Sequence, residues 1–202
     1  MNSFAGGART VGSHGLERES PSCRDLLRAA TQAPHERLHL HPGLSAVKDG
    51  TITRADYRAL LTRLHGFHLP FEQAIGGGTI HTQWLARDLS CLGAAATTNV
   101  CPSIPRYDNP ERRLGALYVV EGAALGGRTL YRGLDHLLGP TAIEGRRFFA
   151  GRGAATGDAW RAYLNQLAAV GPSPACRAAL VSAAVETFEV FETWLAGWSA
   201  TS

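Results

Sequence analysis

The sequence predicts an all-α fold in a single domain, and three observations predict it. Apolar residues recur at helical spacing through most of the chain from Ser22 onward. No stretch alternates apolar and polar residues with the period of two that a half-buried strand needs. The boundaries between periodic segments are those of helices, with Ser, Thr or Asn before them and Gly or Pro after them.

Residues 1–20 are rich in Gly, Ser and Arg, show no periodicity and read as a flexible N-terminal tail, which leaves 21–199 for the helical domain. Ser22 can cap a first helix carrying Leu26, Leu27, Ala30 and Leu38, and Pro34 within it is expected to kink it. Thr53-Arg-Ala-Asp56 has the form of a capping box, with Asp for the usual Glu or Gln. It opens a helix carrying Tyr57, Leu60, Leu61, Leu64 and Phe67, which Gly76-Gly77-Gly78 ends. Trp84, Leu85, Leu89 and Leu92 mark a shorter helix, and 93–108 reads as a loop. Asn109 followed by Pro110 is a cap and a first-turn proline, and the helix they start is expected to reach Leu138, before Gly139-Pro140. Segments 158–170 and 175–198 complete the set, the last with Ala179, Val185, Phe188, Phe191, Trp194 and Leu195.

Composition narrows the function classes. The 202 residues are 45% hydrophobic and 18% charged, a globular balance for one domain. A net charge of +3 without dense basic runs excludes a nucleic-acid coat. Lys48 is the only lysine against 19 arginines, and arginine suits fixed carboxylates and phosphates, although a GC-rich genome also favours it. Cys23, Cys91, Cys101 and Cys176 form no C-x-x-C pair, which argues against a zinc ribbon or a redox dithiol. The first residues have no apolar core of signal-peptide length, and no stretch approaches the roughly 18 apolar residues of a membrane span. A soluble, cytoplasmic protein with neither a membrane nor a nucleic-acid partner is expected.

Two segments could carry chemistry. His35-Glu36-Arg37-Leu38-His39 reads H-E-x-x-H, the spacing of zinc hydrolases. Its longer form would need Gly at Pro42 and His at Ser45, and the strands that accompany it in such enzymes are missing. Alternatively His35 acts alone: Arg28, Thr31 and His35 fall at i, i+3 and i+7 on one helix face. A neutral imidazole with an arginine along its helix suits a metal-centred ligand bearing a carboxylate, although spacing alone favours a surface histidine on an amphipathic helix. The second segment holds Gly122, Gly126 and Gly127 inside the longest helical pattern. Three interior glycines forfeit about 2–3 kcal/mol relative to alanine, so close backbone approach or a bend is required there. Either another helix or a flat ligand could make that approach. No strand leads into these glycines, which disfavours dinucleotide binding.

These residues carry a resemblance. Leu27-Arg-Ala-Ala-Thr31-Gln-Ala-Pro-His35-Glu-Arg-Leu resembles the proximal helix of the heme oxygenase family. Tyr118-Val-Val-Glu-Gly-Ala-Ala-Leu-Gly-Gly-Arg128 resembles its distal helix, in particular that of phytochrome-associated bacterial members. Arg147-Phe148-Phe149-Ala-Gly151 with Trp160, and the stretch from Ala184 to Leu195, extend the similarity in order over about 22–197. The resemblance implies a helical domain with heme between a proximal and a distal helix, and heme as both cofactor and substrate. His35 is then the iron ligand, and Gly122, Gly126 and Gly127 line the distal face. Arg28 and Arg161 meet the propionates, and Phe188 packs on the heme edge. The implied reaction is cleavage of heme to biliverdin with release of carbon monoxide and ferrous iron. It uses O2 and electrons from a ferredoxin or a flavoprotein reductase, and a bacterial phytochrome is a possible recipient of the biliverdin. Ala123 and Ala124 depart from relatives with polar residues at those positions, which leaves open what holds the ordered water that the resemblance implies as the proton source. A non-catalytic heme-binding protein and an H-E-x-x-H zinc hydrolase are the competing functions.

Overall fold

The computed structural model describes residues 21–200, so the expected tail at 1–20 lies outside the described residues. Among the described residues every regular element is helical. Ser22 caps α1 (Cys23–His39), its hydroxyl accepting the Asp25 N–H at 3.2 Å. Cys23, Leu27, Thr31, Pro34 and Leu38 form the buried face of α1. Pro34 lies inside α1 on this buried face, and the helix runs on to His39 although the bond a residue-34 N–H would make is missing. A short helix the sequence did not reveal, α2 (Pro42–Lys48), follows with His41 as its cap.

Thr53 caps α3 (Arg54–Ile75), which ends at Gly76 with φ 69°, the left-handed turn that a glycine adopts without steric cost. The N-terminus of α4 (Ile80–Cys91) has no cap from its own Thr79. Glu72 of α3 supplies one instead, its carboxylate accepting the His81 and Thr82 N–H groups at 2.9 and 3.1 Å. The His81 ring and the Thr82 hydroxyl add to that carboxylate, which is held low, at about 2, by these hydrogen bonds despite burial.

The helix begun at Asn109 is α5 (Pro110–Gly133), and it stops one turn short of expectation. A separate turn, α6 (Asp135–Leu138), follows. The reason is Arg146, which is fully buried. Its guanidinium donates to the Tyr131 carbonyl at 2.8 Å, the acceptor that the Asp135 N–H would otherwise take, and to the Asp135 carboxylate at 2.6 Å. α7 (Arg147–Ala150) is capped from α4, because Asp88 accepts the Arg147 and Phe148 N–H groups at 2.8 Å each. A 3₁₀ turn (Gly153–Ala155) leads into α8 (Thr156–Ala168), and α9 (Pro174–Leu195) ends the fold.

Helix α9 organises the rest. Its buried Leu180, Ala183, Ala184, Thr187 and Phe188 face α5, α1 and α3. Two glutamates on it clamp the helices on either side. Glu192 takes a bidentate pair from Arg37 of α1 at 2.5 and 2.8 Å, and Glu186 accepts Arg112 of α5 at 2.5 Å. α1 and α5 both lean on α2, α8 and α9. Cys23 and Leu27 of α1 share a hydrophobic cluster with Leu114, Leu117 and Tyr118 of α5.

Among the described residues no helix is long and apolar enough to cross a membrane.

Candidate functional site

The glycines of α5 define the site. Gly115, Gly122, Gly126 and Gly133 are spaced seven, four and seven apart, which places them on one face of the helix. At the two ends that face is pressed against backbone: a methyl group on Gly115 would overlap the Leu180 carbonyl oxygen of α9, and one on Gly133 the Val47 carbonyl oxygen of α2. In the middle the same face meets nothing, for a methyl group on Gly122 or Gly126 would have no neighbour within 4 Å. This face of α5 is therefore seated at both ends and open between them. Gly127 points elsewhere: a methyl group there would come within 2.8 Å of the Phe149 carbonyl oxygen of α7. Gly122 and Gly126 thus border open space, and Gly127 lets the helix rest on α7.

On α1, His35 lies next to the buried Pro34 but is itself exposed. Its ring meets the buried Phe188 of α9 edge-on, with centroids 6.4 Å apart, so these two predicted residues are brought together. Partial burial, then the neighbouring His39, hold the imidazole below its ordinary pKa of 6.5, which keeps it neutral at neutral pH and able to ligate a metal. Thr31 does not share this environment. It is buried, and its hydroxyl bonds back to the Leu27 carbonyl at 2.8 Å, so only Arg28 and His35 of the predicted trio are exposed.

Arg28 has no ion pair among the described residues, and its side chain is exposed. Arg161 is exposed on α8 and pairs with the Asp158 carboxylate one turn earlier. Such a pair at the surface is worth little and is readily exchanged for another carboxylate. Trp160 beside it stacks on Tyr163 at 5.2 Å and approaches Tyr118 of α5 at 6.1 Å, which fixes α8 against the helix bearing the glycines. Among the described residues no group of three or more His, Cys, Asp or Glu side chains could hold a metal ion, so His35 and His39 lack the third ligand that a zinc hydrolase needs.

Sequence reasoning passed over Gly115 and Gly133 as functional positions, although the seven-four-seven spacing was there to be read. It also passed over Glu186 and Glu192, which carry no signal until α1, α5 and α9 are assembled.

The predicted residues thus comprise an exposed imidazole on α1, bare backbone on α5 and two exposed arginines on α1 and α8. No curated protein matches the chain. Among solved structures it is similar to the NO- and CO-bound heme oxygenase of Neisseria meningitidis. The two share 22% identity over 91% of this chain and 96% of that one, with a TM-score of 0.72, a likeness of fold. A family model described as heme oxygenase matches residues 22–197, nearly all of the described chain, and the protein therefore belongs to the heme oxygenase family.

Proposed function

We propose that the chain cleaves heme to biliverdin, with His35 as the iron ligand and with Gly122 and Gly126 bordering the opposite face. The observation that carries this reading is the open middle of the α5 glycine face, where bare helix backbone borders free space. When bound, heme supplies the iron that activates O2 and the porphyrin carbon that is oxidised, giving biliverdin, carbon monoxide and ferrous iron. His35 offers a neutral nitrogen donor without the electron push of a thiolate. Gly122 and Gly126 would keep side chains out of the space beside the bound heme. Arg28 and Arg161 hold the propionates, Arg161 by exchanging Asp158 for a ligand carboxylate, and so select the edge presented. Phe188 packs beside the His35 ring and the ligand edge. Gly127 acts one step back, by letting α5 rest on Phe149. No side chain serves as a nucleophile, and Ala123 and Ala124 carry no exchangeable proton, so water delivers protons along α5. A ferredoxin or a flavoprotein reductase supplies the electrons, the reaction takes place in the cytoplasm, and a bacterial phytochrome receives the biliverdin.

The test is to add hemin to the purified protein and then a reductant in air. A Soret band that gives way to a biliverdin spectrum is expected, and His35→Ala should abolish the band. A Soret band that persists through reduction in air would leave a heme-binding protein without turnover. A band unchanged by His35→Ala would remove His35 as the ligand.

A further inference from the structure

The H-E-x-x-H segment carries two histidines, and the proposed function uses only the first. Of the four residues that follow His35, three are engaged away from it. The Glu36 carboxylate accepts the Gln32 amide at 2.9 Å, Arg37 is bound to Glu192, and Leu38 is buried in the core. His39, one turn on, is the one that reaches the His35 ring: the two imidazoles meet edge to face, 4.5 Å between centroids and 78° between planes. Phe188 meets the same ring at 85° and 6.4 Å. Among the described residues no hydrogen bond reaches either imidazole, and the His35 ring meets the rings of His39 and Phe188.

A histidine that binds a metal normally has its ring oriented by an outer partner, most often a carboxylate or a carbonyl that takes its second N–H. Neither serves His35. We propose that His39 is a positioning residue, which together with Phe188 confines the His35 imidazole to one rotamer before any ligand arrives. The inference rests on the reading of His35 as the heme ligand and deepens it. An aromatic edge in place of a carboxylate orients the ring without pushing negative charge onto it. His35 thereby stays a neutral, moderate donor and not an imidazolate-like one.

The experiment has an arm without heme and an arm with it. In the apoprotein, NMR side-chain couplings and ring-to-ring contacts should report a single His35 χ1 rotamer in the wild type. The couplings should be averaged in His39→Ala and restored in His39→Phe, which keeps an aromatic edge and no ring nitrogen. Averaged couplings in the wild type overturn the proposal whatever heme does. With hemin, His39→Ala should weaken binding about tenfold and broaden the ferric electron paramagnetic resonance signal. His39→Phe should recover both. If His39→Ala matches the wild type in rotamer, affinity and line shape, or if His39→Phe behaves like His39→Ala, His39 does not position His35. A fixed rotamer with no Soret band in the wild type instead refutes heme ligation alone and leaves the packing of His35 as proposed.

Discussion

One face of α5 holds four glycines that do two different things. Gly115 and Gly133 sit against carbonyl oxygens of α9 and α2, where a side chain has no room. Gly122 and Gly126 sit between them with open space in front. The outer pair sets how closely α5 approaches its neighbours, and the inner pair leaves its backbone bare for a ligand. Glycine thus marks a close approach in both places, but the partner is protein at the ends and, by our reading, heme in the middle. Helix propensity penalises all four alike at about 1 kcal/mol each relative to alanine, so the difference between them lies wholly in what stands opposite.

Substitution by alanine should separate the two pairs by the sign of the effect on stability. The largest change is expected at the ends. Gly133→Ala or Gly115→Ala forces a methyl group into a backbone oxygen and should destabilise the fold by about 3 kcal/mol, read by urea denaturation. A neutral result at either position would mean that α5 can lift off its seats, and the comparison would fail.

Acid offers a perturbation remote from this face. His68 on α3 is buried with its Nδ1 unpartnered, and burial, then His81, push its pKa down to about 3 from the ordinary 6.5. The unfolded chain therefore takes up a proton below pH 6.5 that the folded chain refuses until about pH 3. This group's contribution is intact above pH 6.5 and declines from there down to about pH 3. Between pH 7.5 and pH 5 it should cost about 2 kcal/mol, and His68→Leu should remove that pH dependence. Asp88, pushed up to about 6 by burial, opposes part of the loss in the wild type, so the contrast with the variant is the clean measurement. The ranking of the glycine variants should be the same at both pH values.

Gly127→Ala comes next, because its methyl group would stand 2.8 Å from the Phe149 carbonyl oxygen and α7 must yield slightly. A loss of about 1–2 kcal/mol in thermal or urea melts is expected. The smallest change in stability, and the only gain, belongs to the middle pair. Gly122→Ala and Gly126→Ala should each raise stability by about 0.5–1 kcal/mol while weakening hemin binding in a spectrophotometric titration. Loss of stability at Gly122 or Gly126 would show that the middle of the face is packed after all.

The capping residues were legible one by one. Ser22, Thr53 and Asn109 each accept an N–H three residues ahead, as their side-chain chemistry leads one to expect, and Gly76 ends α3 in the left-handed conformation. The family resemblance, which spans the chain, pointed to His35 and Phe188 but not to the contact between their rings. What escaped came from residues distant in sequence. α5 ends at Gly133 because Arg146 takes the Tyr131 carbonyl, and α4 begins at Ile80 under a cap sent from Glu72.

The sequence by itself determined where the helices start, which of their faces are apolar, and which residue types could hold a metal, a carboxylate or a flat ligand. Those properties depend on neighbours within about one helical turn, so they are written locally. Only the tertiary structure decided that Gly122 and Gly126 face open space while Gly115, Gly127 and Gly133 face backbone. It alone set His39 and Phe188 against His35. The physical reason is that a glycine on a helix shows that a side chain is missing, and only the element packed opposite shows what the missing side chain makes room for.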